Sequence, residues 1–220
     1  MQYHTLIIDD HPTQVKTYKD IFNLVEDNLT LKFDAFYNLE DAYQFVKHND
    51  TAQRIDLVLL DLNLPPCPKR NLSNGADLAE IIRQDLPQAK LCFLTSHHEA
   101  FILYDIYSSY QPQGILVKSD FNGQDLEYFF KAILQDKTFY TSTFKKAHQK
   151  IISSEVFMES YNRQILTKLA EGHPSKDLPD ILGMSLSAIN KRKAKIKTYF
   201  GLDNLQDNYL ILKARELGLL

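Results

Sequence analysis

The sequence contains no tryptophan and only two cysteines among its 220 residues. Cys67 and Cys92 offer neither metal-ligand spacing nor a disulfide framework. They read as one loop thiol and one thiol buried in a strand. Long apolar runs are also missing: nothing approaches the roughly 18 consecutive apolar residues of a spanning helix. The N-terminus passes from Met1 straight into a strand pattern, without a basic leader. These absences predict a soluble, cytoplasmic protein with no membrane partner. An excess of one charge sign is lacking as well, since the formal net charge is -3. A hydrophobic content of 44% is ordinary for a folded chain and argues against disorder. The charges that are present lie unevenly. Lys191, Arg192, Lys193, Lys195 and Lys197 crowd one late segment, while the first third is rich in Asp. Such asymmetry can mark a nucleic-acid surface that the whole-chain charge conceals.

What is there is organised around the stretch from Ile55 to Pro65, in which an apolar run leads into Asp61. A short apolar run without alternation reads as a strand buried on both faces, as in parallel sheets. Similar strand patterns cover Tyr3–Ile8, Leu29–Phe36, Leu91–Leu94 and Gly114–Val117. Helical spacing separates them, carried by Val15, Tyr18 and Phe22, then by Leu39, Ala42 and Val46. It returns at Leu78, Ile81 and Ile82, at Phe101, Tyr104 and Tyr107, and at Leu126, Phe129 and Phe130. Pro12 suits the first turn of the first helix, and Asn38 can cap the second. Five strands alternating with five helices predict a parallel α/β sheet covered on both faces. Right-handed crossovers then gather the carboxyl ends of the strands at one edge.

Asp9, Asp10, Asp61, Thr95 and Lys118 all fall at such ends. An acid after a strand is most often a helix cap or a solvated loop residue. The joint occurrence on strands one, three, four and five points further. Packed carboxylates repel unless a cation sits among them, and hard oxygen ligands suit Mg²⁺. A carboxylate there can attack phosphorus and form an acyl phosphate. Lys118 would offset charge on the transferring phosphoryl group, and the Thr95 hydroxyl could donate to one of its oxygens.

The stretches IIDDHPT, LVLLDLNLP, LCFLTS and GILVKSD resemble the receiver domain of two-component response regulators, over roughly the first 120 residues. The resemblance implies a five-stranded, flavodoxin-like parallel sheet with Asp61 as phospho-acceptor. It implies Mg²⁺ binding by Asp10, Asp61 and the Asn63 backbone carbonyl, with Asp9 supporting the metal through water. Thr95 becomes the switch hydroxyl and Lys118 the phosphate partner. Ile115 stands where that family often carries an aromatic switch residue, and the loop from Pro65 to Gly75 is longer than its usual turn. His97, two residues after Thr95, is a candidate for tuning phosphoryl lifetime.

Residues 137–157 read as a linker with helical content around Lys145 to Ile152, between a domain at 1–136 and another at 158–220. In the last segment, Ile165, Leu166 and Leu169 form an apolar stripe. Ser175 is positioned to cap a short helix with Pro179 in its first turn, and Ser187 to cap a basic helix ending before Gly201. A helix, a short turn and a basic helix make the helix-turn-helix pattern. A solvated lysine-rich face is the plainer reading of the charges alone. The stretch ILTKLAEGHPSKDLPDILGMSLSAINKRKAKIKTYFG, with the tail ILKARELGLL, resembles the LuxR-type helix-turn-helix of NarL/FixJ-like regulators. Asn162 occupies a position where that family commonly has Glu. By the resemblance Asn190, Lys191 and Ala194 read base edges. Lys176, Arg192, Lys193, Lys195 and Lys197 are candidates for phosphate contacts.

The expected protein is therefore a DNA-binding response regulator and not an enzyme. Its implied partners are a sensor histidine kinase, double-stranded DNA, the transcription machinery and a second copy of the chain on DNA. A regulator of the same fold that works without phosphorylation is the alternative. An aspartyl-phosphate phosphohydrolase would want Asp two residues after Asp9, where His11 stands.

Overall fold

In the computed structural model, which describes residues 2–25, 30–48, 54–202 and 206–220, Leu57–Asp61 form a strand with every residue buried. That strand, β3, lies inside a sheet with β1 (Gln2–Ile8), β2 (Thr30–Phe36), β4 (Lys90–Thr95), β5 (Gly114–Val117) and β6 (Phe139–Tyr140). Pairing is parallel throughout, in the order β2-β1-β3-β4-β5-β6. The first five strands follow the expected flavodoxin-like order, whose direction reverses between β1 and β3. Leu29, expected to open the second strand, lies outside the described residues.

The sixth strand corrects the expectation of five. Phe139 pairs with Gly114 and Tyr140 with Ile115, so the start of the expected linker extends the sheet beyond β5. Tyr140 donates its hydroxyl to the Pro112 carbonyl at 2.8 Å, and the Thr141 amide donates to the Ile115 carbonyl at 3.1 Å. This satisfies backbone groups that an exposed edge would leave open. Two residues carry no periodicity, which is why the strand has no signature in the sequence.

Five helices connect these strands: α1 (Pro12–Asn23), α2 (Leu39–His48), α3 (Gly75–Asp85), α4 (Ala100–Tyr110) and α5 (Gly123–Leu134). Pro12 opens α1, and the Asn38 side chain accepts from the Asp41 amide at 2.9 Å. Asn122 and Asp125 form a reciprocal capping box on α5. Val15, Tyr18 and Phe22 of α1 pack with Leu126, Phe129 and Phe130 of α5 against Ile7, Leu59 and Leu94. Phe22 stacks on Phe130 with ring centroids 4.0 Å apart.

The described chain divides into two compact units, Met1–His97 with Ile106–Thr143, and His98–Asp105 with Phe144–Leu220. The second unit contains the remaining helices. They are α6 (Ser142–Ile152, whose first two residues belong to the first unit), α7 (Glu155–Met158), α8 (Ser160–Ala170), α9 (Leu178–Leu182), α10 (Leu186–Phe200) and α11 (Asp207–Glu216). Its core joins Ile165, Leu166 and Leu169 to Leu178, Ile189, Ile196, Phe200 and Leu210, all buried. Residues 98–105 belong here through Phe101, whose ring lies 5.2 Å from that of Phe157, and through Asp105. Asp105 accepts from Nε of the buried Arg163 at 2.8 Å. Two expected caps move. α9 begins at Leu178 after Asp177, and Ser175 instead bonds Asp207. α10 is capped by Ser185, whose hydroxyl accepts from the Ala188 amide at 3.2 Å, not by Ser187. Before α10 two serines compete for the cap, while the Ser175 hydroxyl is claimed by Asp207 and Lys193.

Candidate functional site

The parallel register assembles the acidic edge. Ile8 pairs with Leu60, so Asp9 follows at the level of Asp61, the last residue of β3. Asp61 pairs with Leu94, which brings up Thr95; Thr95 pairs with Val117, which brings up Lys118. The Lys118 amide donates to the Thr95 carbonyl at 2.7 Å, closing the array. Asp9, Asp61 and Thr95 are buried. These positions flank the point where strand order reverses, the place where open α/β sheets bind ligands.

Within the edge, Lys118 Nζ donates to Asp61 Oδ2 at 2.7 Å and to Asp9 Oδ2 at 3.0 Å. The Asn63 amide donates to Asp61 Oδ1 at 2.9 Å. Burial raises the Asp61 carboxyl above the ordinary carboxylate range. Lys118 and the Asn63 amide pull against that rise, while the Asp9 charge adds to it. Lys118 is raised despite its own burial, because two carboxylates hold its proton. Thr95 Oγ1 accepts from the His97 amide at 3.0 Å, and Asn63 Nδ2 lies 3.2 Å from His97 Nε2. Gly75 opens α3 directly against Asp61: a Cβ there would stand 2.1 Å from the Asp61 carbonyl oxygen. Only glycine admits this approach.

A divalent cation suits this set. Ligand atoms of Asp9, Asp10, His11 and Asp61 all lie within 4.8 Å of one another. Asp10 Oδ1 is buried without a hydrogen bond, although His11 Nδ1 is 2.8 Å away. A buried carboxylate oxygen with a single histidine contact, beside two further carboxylates, is a donor set that fits a hard divalent cation. The long loop leaves the acids by folding on itself. Cys67 and Leu72 form an antiparallel bridge around the 3₁₀ turn Pro68–Arg70. Arg70 donates from Nε and Nη2 to Glu40 of α2 at 3.1 and 2.9 Å, holding that carboxyl down to about 2.

On α10, Ser187, Asn190, Lys191, Ala194 and Thr198 are exposed and share one helical face. Lys176, before α9, is exposed as well. The other cations of α10 are engaged within the unit. Arg192 Nη1 donates to Glu159 Oε2 and, at 3.1 Å, to Asn162 Oδ1, while its guanidinium lies over the Tyr161 ring at 5.3 Å. Lys195 Nζ donates to Glu159 Oε1 at 2.5 Å. Lys193 Nζ meets Asp207 Oδ1 at 2.5 Å and Ser175 Oγ at 2.6 Å. Lys197 is half-buried and its charge helps to lower Asp207. Asn162 is completely buried and donates to the Val156 carbonyl at 2.6 Å.

The profile of the response regulator receiver domain matches residues 5–126, more than half of the chain. The chain belongs to that family. Similarity to known proteins extends beyond that span. The oxygen regulatory protein NreC of Staphylococcus epidermidis is 25% identical over 210 residues, covering 90% of each protein. Two solved structures share the fold. RcsB of Salmonella enterica serovar Typhimurium, bound to promoter rprA in the presence of a phosphomimetic, covers 98% of this chain and 99% of its own, with TM-score 0.64 and 18% identity. An RcsB–DNA complex covers 99% and 100%, with TM-score 0.64 and 17% identity.

For this receiver-family chain, the structure brings together Asp9, Asp10, Asp61, Thr95 and Lys118, as the strand ends implied, and adds Asn63 through its amide on Asp61. Ile115 is fully buried in β5, between β4 and β6. Three participants carried no such signal. His11 joins the acid cluster through Nδ1, 3.2 Å from Asp9 Oδ1, although adjacency to two aspartates was a usable hint. Glu159 and Asp207 hold cations of α10 across distances of 33 to 36 residues and 14 residues, pairings that only the tertiary fold creates.

Proposed function

We propose that this receiver-family protein is a DNA-binding response regulator whose switch is phosphorylation of Asp61. The observation that carries the reading is the buried Asp61 carboxylate, bonded to Lys118 and facing Asp9 and Asp10 at the sheet's switch point. An Asp61 oxygen attacks the phosphorus of a sensor kinase phosphohistidine or a small phosphodonor. The bond from phosphorus to its leaving group breaks, and the electron pair departs with that group. Lys118, already against Asp61, screens the charge of the transferred group. Asp10, Asp61 and the Asn63 carbonyl would hold Mg²⁺, with Asp9 behind them through water. When bound, Mg²⁺ supplies charge stabilisation at the phosphoryl oxygens. The Thr95 hydroxyl, released from the His97 amide, donates to a phosphoryl oxygen. The added charge, about −1.5 to −2, is what the rest of the protein reads.

The output is transcriptional. Residues 158–220 act as a LuxR-type helix-turn-helix, with Asn190, Lys191 and Ala194 reading bases from the exposed face of α10. Lys176 and Lys197 contact phosphates, as do Arg192, Lys193 and Lys195 to the extent that they leave their carboxylate partners. NreC is named an oxygen regulatory protein, and RcsB is solved bound to DNA as dimers. From these relatives we infer a regulator that pairs on DNA and acts on the transcription machinery; a cytoplasmic location and the lack of turnover belong to the same proposal. Among the described residues no helix is long and apolar enough to cross a membrane. The receiver role is assigned to residues 1–136 with the β6 strand added, and the connection to the rest of 137–157.

A regulator that works without phosphorylation is kept as a second reading by one observation. Ile115 is fully buried in the sheet at the position where the resemblance expects an aromatic switch residue. Incubation with Mg²⁺ and acetyl phosphate, followed by Phos-tag electrophoresis and sizing chromatography, separates the two. Mg²⁺-dependent modification of the wild type, absent from Asp61→Asn and accompanied by a shift toward dimer, is the expected result. No modification by any phosphodonor would select the second reading.

A further inference from the structure

The reading face of α10 is flanked by lysines that the fold has already given to carboxylates, and the two flanks differ. On one side Lys193 is 11% exposed and wedged between Asp207 and Ser175, an arrangement that ties α10 to α11. On the other, Lys195 is 49% exposed and among the described residues pairs with Glu159, itself 39% exposed. Glu159 stands at the N-cap position of α8, yet its side chain makes no capping bond. Its two oxygens reach across to Arg192 and Lys195 instead. Arg192 has independent support from Asn162 and Tyr161, so it does not need this carboxylate to keep its place. Glu159 is held below the usual carboxylate range by Lys195 first and Arg192 second.

Lys195 lies one turn after Lys191 and next to Ala194, on the border of the exposed face. A nucleic-acid backbone laid along that face would bring a phosphate to the position the Glu159 carboxylate holds. We infer that Glu159 is an internal stand-in for a DNA phosphate, occupying Lys195 until the duplex displaces it. The inference rests on the DNA-binding reading above. Its consequence is a threshold: every duplex meets the same cost, so at a given protein concentration only sites with added base contacts stay bound. Any duplex must break the Glu159–Lys195 pair to gain that phosphate contact, so sequence-independent binding is weakened. A site that also satisfies Asn190 and Lys191 recovers the loss through base contacts. An exposed pair of this kind is weak enough to be exchanged, which the Lys193–Asp207 pair, being more enclosed, is not.

The test uses the full chain, random-sequence duplex DNA as the probe, and a salt titration. Glu159→Gln keeps the side chain's size and the Asn162 support of Arg192. It should tighten binding about three- to ten-fold at low salt, with the slope of log K against log salt steeper by about one phosphate. In a Lys195→Ala background the gain should be much smaller, because the lysine it frees is gone and Arg192 keeps Asn162 and Tyr161. Asp207→Asn, tested alongside, should lower the thermal midpoint and leave the slope unchanged. Equal or weaker binding by a folded Glu159→Gln protein, or an equal gain without Lys195, would overturn the inference while leaving DNA binding intact. Failure of the wild type to bind duplex at any salt would overturn the DNA-binding reading and the inference with it.

Discussion

The acidic edge and the reading face of α10 place charge in opposite ways. At the edge, Asp9 and Asp61 are buried and share one lysine, so every charged group is also a structural partner of another. On α10, Asn190, Lys191 and Ala194 face solvent, and the bracing lies underneath, in Glu159, Asn162 and Asp207. The difference follows from what each region must handle. A small phosphoryl group is engulfed, and its chemistry needs desolvated, preorganised groups. A duplex cannot be engulfed, so the groups that meet it stay wet and exchange water for DNA late. Stability and function should therefore be inseparable at the edge and separable on the face.

Lys118→Ala tests the edge and carries the largest expected effect. It leaves two buried carboxylates beside the part-buried Asp10 without their cation. Breaking such a buried pair from one side costs about 3–5 kcal/mol. Urea unfolding without divalent ions should show a loss of that size, and millimolar Mg²⁺ should restore part of it by supplying charge to the same oxygens. Lys191→Ala, measured in the same way, should stay within about 0.5 kcal/mol of wild type. Comparable losses at the two lysines would end the contrast. A Lys118→Ala protein indifferent to Mg²⁺ would count against the carboxylates as a cation site.

Asn162→Ala sharpens the boundary within the second unit. Asn162 is as buried as the acids, although it belongs to the region of the reading face. Its removal strands the Val156 carbonyl and takes one of the partners of Arg192. An unsatisfied buried group costs about 1–3 kcal/mol, so the thermal midpoint should fall while the exposed face of α10 is untouched. Circular dichroism melting reads this directly. A neutral result would mean that Glu159 and Tyr161 suffice to fix Arg192. The family's common Glu at this position would then have been replaced without consequence.

How much of this was written in the sequence depends on whether a feature is local. Asp9, Asp61, Thr95 and Lys118 could be read because each ends an apolar run, and parallel strands deliver their carboxyl ends to one edge. The exposed triad on α10 could be read because helical spacing places residues 190, 191 and 194 together. β6 could not, since two residues have no period and owe their conformation to the open edge of β5. Ser175 had the right chemistry for a cap, but Asp207 and Lys193 claim its hydroxyl. Glu159 looked like one more surface acid. Its role depends on where α10 comes to lie, and no local pattern encodes that.

Asn190→Ala should have the smallest effect on the fold and is the most direct test of separability. The side chain is exposed and its loss should move the unfolding midpoint by no more than about 0.5 kcal/mol. Its expected effect is on recognition. A bidentate contact to adenine is worth about 1–3 kcal/mol of discrimination, so binding-site selection from a randomised duplex pool should lose preference at one position in each half-site. Affinity for random duplex and its salt slope should remain as in wild type, because no phosphate contact is removed. If Asn190→Ala instead weakened all sequences equally, Asn190 would belong with the phosphate-contacting flanks, and the reading face would be narrower than its exposure implies.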